Sequence, residues 1–378
     1  MNILVNALGI VDSGGVRVFD KFLSELLIDE GNHYSITYNY SEALDNIKMQ
    51  YSNALNIHFV LVKNKGIFHR LYFENFHFRK LINKEDIQLI YNFSGTAQPL
   101  IGIPQIIKIQ NLLFFSKKLD SIYLLRRQYF LWFKQVFLKR LILKSMINKS
   151  NYIEIQSIHV KDNLYDFLNN KSKDFFIKSD INVTKNVFYN PKKYDFSKKI
   201  KFLYVVGPHF ELVHKNFLDF VNAMILLKCQ GLNFEINITL TKNQLEKSRI
   251  WDLSLNSKTN FLGYISDPQL MNEIYCDNTI LISTSIIETL GLHVIEAIQN
   301  GVVVITPNEN YSTYVYGNKI FKYELFDYHS LQKTIMMIIN YKDSHANRIL
   351  SIQDDLMRSE MQKYQSILEI FAQFPVDK

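Results

Sequence analysis

Residues 283–301, which read STSIIETLGLHVIEAIQNG, decide the fold that the sequence predicts. An apolar strand over residues 279–282 leads into a loop that holds Glu288, and the loop passes into a helix near Gly291. Gly301 is placed to end that helix, because glycine readily takes the left-handed conformation that follows many helices. A buried strand, a loop and a helix in this order are typical of a parallel sheet covered by helices.

The start of this helix predicts a phosphate site. Gly291 lets the backbone come close to a ligand, and the free amides of a helix start point at an anion. Glu288 stands just before the helix and Glu296 lies about one turn inside it, so both carboxylates can face one ligand. The alternative interpretation is a capped helix with two surface glutamates.

The order of strand, loop and helix recurs along the whole chain. Predicted strands cover residues 3–7, 35–40, 57–63, 88–93 and 105–110, then 201–207, 234–240, 259–262, 279–283 and 302–306. Apolar residues at helical spacing predict helices from residue 16 and over 217–228, and the chain turns helical after about residue 330. The sequence therefore predicts two doubly wound α/β domains, which bind ligands at the carboxyl ends of their strands.

The spacing of Glu288 and Glu296 around Gly291 resembles the Glu-x7-Glu signature of retaining glycosyltransferases with the GT-B fold, the family 4 type. In that family the first glutamate lies by the donor sugar and the second binds the nucleotide ribose, while the amides between them hold the diphosphate. The resemblance implies these roles for Glu288, for Glu296, and for Gly291 with Leu292, with Ser285 among the donor-binding residues. It also implies two Rossmann-like domains that face each other across a cleft.

On this resemblance the chain divides into three parts. Residues 1–190 form an acceptor-binding domain and residues 191–350 a nucleotide-sugar-binding domain. Residues 351–378 form a C-terminal helix that packs back on the first domain. The boundary is placed at Asn190-Pro191, because a residue before proline is driven out of the helical conformation.

Residues 205–216, which read VVGPHFELVHKN, resemble the family's strand, glycine and Lys-Asn pair before a helix. In that family the lysine neutralises the donor diphosphate. The resemblance implies this role for Lys215 and a donor-binding role for Gly207. A cation at a helix start opposes the helix dipole, which favours this reading over a solvated lysine.

The family usually carries an arginine just after this glycine, and here Pro208 and His209 stand there instead. His209 or His214 is the candidate replacement for the missing charge. We therefore expect His209 to act in catalysis together with Lys215 and Glu288.

Two further matches concern the nucleotide base and the phosphates. Tyr264 and Ile265 lie where the family has a loop that packs on the base, although an aromatic after a strand is as often part of a core. Gly14-Gly15 follows the first predicted strand, as in the family's loop that closes over the phosphates. Any tight turn would use such a pair as well.

The formal net charge is +7, but the excess is local, because residues 117–149 hold nine Lys or Arg and one Asp. Aromatic and aliphatic residues alternate with these cations, which predicts a helix that lies in the interface of an anionic membrane. A core helix with a solvated basic edge is the alternative. The residues expected at the membrane or the acceptor are Arg126, Arg127, Trp132, Lys134, Lys139 and Arg140.

Other features exclude classes of protein. Cys229 and Cys276 are the two cysteines and have no metal-ligand spacing around them, which argues against disulfides and zinc and favours the cytosol. No run of 18 apolar residues predicts a membrane-spanning helix. No Asp-x-Asp pair occurs, so we expect no metal and no cofactor besides the nucleotide-sugar co-substrate.

Together with these features, the resemblance implies a metal-independent retaining glycosyltransferase at the cytosolic face of the cytoplasmic membrane of a bacterium. Its expected acceptor is a lipid-linked glycan in surface polysaccharide synthesis, of the O-antigen or capsule type. A nucleotide-sugar 2-epimerase shares this fold and donor, but needs no lipid surface. A nucleic-acid binder would leave Glu288 and Glu296 unexplained, so nucleic acid is not an expected partner. A non-catalytic relative that acts as a membrane scaffold is the remaining alternative.

Overall fold

The computed structural model describes residues 1–10, 13–63, 66–93, 95–168, 173–181, 187–265, 267–340 and 345–374. The chain forms two compact units, Met1–Ile181 with Met361–Lys378, and Asn182–Glu360. Each unit is built on one parallel sheet with helices between its strands. The prediction of two parallel-sheet α/β domains is therefore confirmed.

The first unit contains a seven-stranded sheet in the order β3-β2-β1-β4-β5-β6-β7. Its strands are β1 (Asn2–Asn6), β2 (His33–Tyr38), β3 (Ile57–Leu61), β4 (Leu89–Asn92), β5 (Gln105–Ile109), β6 (Tyr152–Ile155) and β7 (Asp174–Ile177). Its helices are α1 (Ser13–Leu26), α2 (Glu42–Gln50), α3 (Ile67–Tyr72), α4 (Phe78–Glu85), α5 (Lys117–Leu125), α6 (Tyr129–Trp132), α7 (Leu138–Lys149) and α8 (Ile158–Tyr165). Short π-helical turns, Phe73–His77 and Phe133–Phe137, join α3 to α4 and α6 to α7.

The central strands of this sheet are buried along their whole length, as in β4 and β5. Apolar residues fill these strands because helices cover both faces of a parallel sheet. The strands β6 and β7 are not among the predicted ones. In β6 the charged residue Glu154 interrupts the apolar run, yet it is fully buried and pairs with Lys108 of the neighbouring strand.

The second unit contains a six-stranded sheet in the order β10-β9-β8-β11-β12-β13. Its strands are β8 (Ile200–Tyr204), β9 (Phe234–Ile238), β10 (Thr259–Phe261), β11 (Thr279–Ile282), β12 (Val303–Pro307) and β13 (Phe321–Tyr323). Its helices are α9 (Phe217–Cys229), α10 (Lys242–Glu246), α11 (Pro268–Ile274), α12 (Leu292–Gln299), α13 (Asn310–Tyr316), α14 (Tyr328–Asn340) and α15 (His345–Met361). The last helix of the chain, α16 (Ile367–Phe371), belongs to the first unit, where the backbone N–H of Ile367 donates to Glu25.

The register of β8 against β11 positions the candidate site. Phe202 lies opposite Ile280, and Leu203 lies opposite Leu281. Because the two strands are parallel neighbours, their carboxyl ends lie side by side at the same edge of the sheet. The loops that follow them, 205–216 and 283–291, are therefore brought together.

One local prediction is wrong. Gly14 and Gly15 were expected in a loop before the first helix, but α1 already begins at Ser13, so both glycines lie in its first turn. Glycine costs little there, because the first amides of a helix have no intrahelical partner and the backbone is least constrained. Residues 11 and 12 lie outside the described residues.

Candidate functional site

The loop after β8 carries Lys215 in a short 3₁₀ turn, Val213–Lys215, directly before α9. The neighbouring loop holds this turn in place, because the hydroxyl of Thr284 donates to the backbone oxygen of Lys215 at 2.7 Å. Tyr204, at the end of β8, shares a 2.7 Å hydrogen bond with the same threonine hydroxyl. The backbone position of Lys215 is thus set by residues at the ends of β8 and β11.

The side chain of Lys215 forms an ion pair with Glu288, at 2.8 Å between Nζ and Oε1. Burial alone would raise the pKa of Glu288, but the Lys215 ammonium, His293 and hydrogen bonds from Lys215 and Ser285 outweigh it and lower the pKa to about 2. Both side chains keep an exposed fraction, 26% for Lys215 and 18% for Glu288. Glu288 is therefore ionised at neutral pH, and the pair is open to a ligand.

Ser285 connects Glu288 to the surrounding core. Its side chain hydrogen bonds to Glu288, and its backbone oxygen accepts from the hydroxyl of Tyr311 at 2.5 Å. Ser285 and Tyr311 are buried. These buried hydrogen bonds hold the loop in place, so they also fix the partly exposed side chain of Glu288.

Helix α12 begins directly after Gly291, whose φ of 61° lies in the left-handed region. A Cβ atom at this position would lie 2.0 Å from the hydroxyl oxygen of Tyr316, which itself donates to the backbone oxygen of Leu290 at 3.1 Å. Both the backbone conformation and the packing therefore require glycine. The expected role of Gly301 also agrees, since its φ is 72° and it follows the end of the helix.

The first turn of α12 presents backbone amides at the same edge of the sheet as Lys215. Val294 and Ile295 donate to the backbone oxygen of Gly291, so the amides of Leu292 and His293 precede the first intrahelical donor. Glu296 lies one turn further along and is half-buried. The ammonium group, the two amides and the carboxylates are thus arranged around one loop pair, a suitable surface for an anionic ligand.

The two histidines proposed to replace the missing arginine differ in their surroundings. His214 is half-buried, and burial together with the neighbouring Lys215 lowers its pKa to about 4. His214 is therefore neutral at pH 7. His209 is exposed in the turn before it. His214 therefore adds a positive charge to the loop of Lys215 only when it takes up a proton.

His293 belongs to this cluster, and sequence reasoning missed it. Its Nε2 lies 3.1 Å from the hydroxyl of Ser283, the residue that follows β11. Burial is the main cause that lowers its pKa to about 4, and Lys215 adds to it against the opposing charge of Glu288. Its position in the first turn after Gly291 was the available signal, since side chains there face the ligand edge of the sheet.

Other expected donor-binding residues lie in different parts of the structure. Tyr264, 73% exposed, and Ile265 follow β10, which is separated from β8 by β9. Gly207 follows β8 and is exposed. Gly14 and Gly15 lie in the first unit, at the start of α1.

The basic residues 117–149 form α5, α6 and α7 of the first unit. Arg126, Arg127, Lys134 and Lys139 are exposed. Large apolar side chains are exposed among them: Leu125, Tyr129, Phe130, Leu131, Phe133, Leu138, Leu141 and Ile142. Among the described residues, no helix is long and apolar enough to cross a membrane.

Trp132 and Arg140 are engaged inside the first unit. The indole of Trp132 donates to Asp120 at 2.7 Å, and Arg140 forms an ion pair with the same carboxylate at 2.8 Å. Arg140 also donates to the backbone oxygen of Phe114 and packs on the ring of Phe167. These two side chains therefore hold the helices of the segment together.

A comparison with protein families finds a match that covers most of the second unit. Residues 181–347, which include the whole Lys215 and Glu288 cluster, match the family described as Glycosyl transferases group 1. No curated protein matches the chain.

Solved structures resemble the chain over almost its full length. Sucrose-phosphate synthase from Thermosynechococcus elongatus has a TM-score of 0.70 at 13% identity, covering 99% of this chain and 98% of that chain. HepE from Anabaena, in complex with UDP and glucose, has a TM-score of 0.66 at 14% identity, covering 99% and 98%. WaaG, a glycosyltransferase involved in lipopolysaccharide biosynthesis, has a TM-score of 0.62 at 12% identity, covering 98% of each chain. At such identities the likeness shows the fold, which is the GT-B fold.

Proposed function

We propose that this glycosyltransferase moves a sugar from a nucleoside-diphosphate donor to a lipid-linked saccharide, with retention of the anomeric configuration and without a metal ion. The observation that carries the proposal is the ion pair of Lys215 and Glu288 beside the first turn of α12. It supplies a cation for the diphosphate and an anion for the sugar. The group 1 match and the complex of HepE with UDP and glucose support this donor class.

In the proposed reaction the bond between the sugar C1 and the diphosphate oxygen breaks. The diphosphate leaves with additional negative charge, which the ammonium of Lys215 and the amides of Leu292 and His293 stabilise. The acceptor oxygen bonds to C1 on the same face. Its proton passes to the departing phosphate oxygen, so no further base is required.

Glu288 is suited to stabilise positive charge on the sugar, because its pKa of about 2 keeps it ionised at neutral pH. The same pKa excludes it as a proton donor near neutrality. In this proposal Glu296, one turn into α12, binds the ribose and sets the register of the nucleotide. Ser285 holds the Glu288 side chain in place through its hydrogen bond.

The acceptor part of the proposal rests on the first unit. Exposed Leu125 and Phe130, at 82% and 74% exposure, stand among the exposed cations Arg126, Arg127 and Lys134. Rings and chains of this kind insert at headgroup level, while the cations attract anionic lipid. We propose that this surface binds the cytosolic face of the cytoplasmic membrane and brings the enzyme to a lipid-linked acceptor. Synthesis of a bacterial surface polysaccharide, of the O-antigen or capsule type, is the proposed context.

The test is a transfer assay with EDTA present throughout. UDP-, GDP-, dTDP-, CDP- and ADP-sugars are offered with bacterial lipid extract, and proton NMR follows the anomeric signal of the product. The proposal expects one donor to yield a glycolipid with the donor's anomeric configuration, and Glu288→Gln to abolish transfer. A donor converted only to its 2-epimer identifies an epimerase, and an inverted product contradicts retention.

A further inference from the structure

His293 is a titratable side chain of the proposed donor site that the transfer reaction does not use. It lies in the first turn of α12, directly after Gly291 and Leu292, and it is half-buried. Its backbone amide is one of the two that precede the first intrahelical donor of this helix, and Glu296 lies one turn further along. The imidazole therefore stands on the turn that is proposed to receive the diphosphate.

A hydrogen bond to Ser283 orients the imidazole of His293. The ring Nε2 lies 3.1 Å from Oγ of Ser283, a residue that is 3% exposed. The serine itself is fixed, because its backbone N–H donates to the backbone oxygen of Ile305 in β12 at 2.9 Å. A hydroxyl can donate to a neutral imidazole nitrogen or accept from a protonated one. The ring can thus keep this contact whether or not it carries a charge.

Two charged side chains act on this imidazole from other elements. Glu288 comes from the loop after β11 and Lys215 from the turn before α9, and the two pair with each other at 2.8 Å. Burial lowers the pKa of His293 to about 4, while the Glu288 carboxylate opposes this shift and Lys215 adds to it. A cation in the first turn of a helix is also disfavoured by the helix dipole. His293 is therefore neutral at pH 7 in the free protein.

Other titratable groups near the ion pair differ from His293. Tyr311 of α13 stays uncharged, because burial raises its pKa well above the ordinary value. Burial lowers the pKa of His214 to about 4 as well, but there Lys215 acts more strongly than Glu288 does. At His293 the carboxylate is the stronger of the two. A positive charge is therefore better compensated at His293 than at His214.

An anion bound to the first turn of α12 changes the balance of charges around His293. It complements the helix dipole and pairs with the ammonium group of Lys215, so the two effects that oppose an imidazolium are offset. An opposite charge at close range also favours the charged form of a base directly. The binding of a diphosphate therefore raises the pKa of His293 from its low value in the free protein.

We propose that His293 is a second cation of the donor site, which is neutral in the free protein and takes up one proton from solvent when the diphosphate binds. The imidazolium then holds the diphosphate together with Lys215, and the proton returns to solvent when the nucleotide leaves. This inference rests on the proposed donor site. It assigns to His293 the additional charge that was expected of His209 or His214.

Calorimetric titration at pH 5.5 tests the inference by counting protons. UDP, GDP, dTDP, CDP and ADP are titrated in two buffers that differ in ionisation enthalpy, and the difference in heat gives the protons taken up. Wild type should take up at least about 0.2 protons more than His293→Gln, since an opposite charge at close range shifts a pKa by roughly 1 to 3. Glutamine can still hydrogen bond to Ser283 but does not titrate. The variant His214→Gln should take up as many protons as wild type, and the phosphate of the nucleotide contributes equally to all three.

Equal proton uptake in wild type and His293→Gln overturns the inference, and so does a loss of the same size in His214→Gln. Histidine NMR gives a readout on the unaltered chain: one ring signal should titrate at higher pH with the nucleotide bound than without it. That signal should be missing from the spectrum of His293→Gln, and unchanged titration of every histidine contradicts the inference. Wild-type protein that binds no nucleotide contradicts the donor site itself, so the two failures are distinguishable.

Discussion

The Nζ atom of Lys215 lies 2.8 Å from Oε1 of Glu288, although 73 positions separate the two residues. The contact exists because β8 and β11 are parallel neighbours, so the loops at their carboxyl ends meet. A cation and an anion held in contact at this edge provide both charges that a sugar-phosphate ligand needs. Because the two residues carry opposite charges, substitution of each one should affect a different part of the ligand.

Glu288 and Glu296 should fail in different ways when changed to alanine. Glu296→Ala should weaken nucleoside-diphosphate binding about tenfold to a hundredfold, because a hydrogen bond to a charged group is lost. Glu288→Ala should leave that binding unchanged or slightly stronger, since Lys215 is freed for the phosphates, but should lower turnover at least about a hundredfold. Calorimetry and initial rates measure the two effects. Equal loss of binding in both variants would break this division of roles.

Gly291→Ala should destabilise the second unit by at least about 2 kcal/mol. A side chain at its φ of 61° is strained, and the added Cβ would lie 2.0 Å from the hydroxyl of Tyr316. Gly207→Ala is the matched control, because a Cβ there meets nothing within 4 Å, and its effect should stay within about 0.5 kcal/mol. Chemical denaturation measures both variants. Similar stability of the two would argue against the conformation described for Gly291.

The stability of the second unit should fall as the pH drops from about 6.5 to about 4. Burial lowers the pKa of His214 and of His293 to about 4, from the ordinary 6.5. In this range the unfolded chain takes up protons at both histidines while the folded chain does not, so unfolding is favoured. Above pH 6.5 both states are neutral at these residues and the contribution is constant.

The variant His214→Gln/His293→Gln should have a flatter pH dependence of the melting temperature than wild type. The exposed residue His329 gives the control variant His329→Gln, which should follow the wild-type curve. If all three curves run parallel between pH 6.5 and 4, the two histidines are not buried as described.

The membrane proposal predicts a charge-specific loss of vesicle binding. Changing Arg126 and Arg127 to glutamine should weaken binding to vesicles that contain anionic phosphatidylglycerol about 30-fold, since each basic residue near the surface contributes about 1 kcal/mol. The control changes Lys198 and Lys199, two exposed lysines of the second unit, and should leave binding unaltered. Co-sedimentation gives the measurement. If both double variants lose vesicle affinity equally, the net charge of the protein explains the binding and the membrane proposal for this surface is contradicted.

The variant Arg140→Gln tests whether Arg140, which binds groups inside the first unit, differs in its role from the exposed Arg126 and Arg127. Its side chain is engaged with Asp120 and the backbone of Phe114, so the variant should lower the melting temperature of the first unit and leave vesicle affinity close to wild type. Vesicle affinity lost at unchanged stability would show instead that Arg140 faces the lipid.

The fold follows from the sequence wherever an apolar strand is followed by a turn and an amphipathic helix. The strand before Ser283, a helix that starts near Gly291 and its end before Gly301 were all predicted and are present. These features are local, because φ preference and burial of a strand act on neighbouring residues. The loop of Lys215, which was singled out from its local spacing, lies within the residues that match the family Glycosyl transferases group 1.

Features that depend on distant partners were not predicted. Strand β6 carries Glu154, which looks unfavourable in a strand until Lys108 and Asp180 are placed around it. Arg140 resembles its basic neighbours in the sequence, and only the fold brings Asp120 to it. The sequence marks His293 only by its place just after Gly291, and its proximity to Lys215 arises from the meeting of two loops.

A thermal-shift titration with UDP, GDP, dTDP, CDP and ADP, in the presence of EDTA, tests the central claim most directly. The claim is that the cluster of Lys215, Glu288 and the start of α12 binds a nucleoside diphosphate without a metal. One nucleotide should stabilise the protein by about 2.7 kcal/mol at 100 times its dissociation constant, and the shift should be lost in Lys215→Met but kept in Lys242→Met. A protein that no nucleotide stabilises, or whose shift survives Lys215→Met, would contradict the claim.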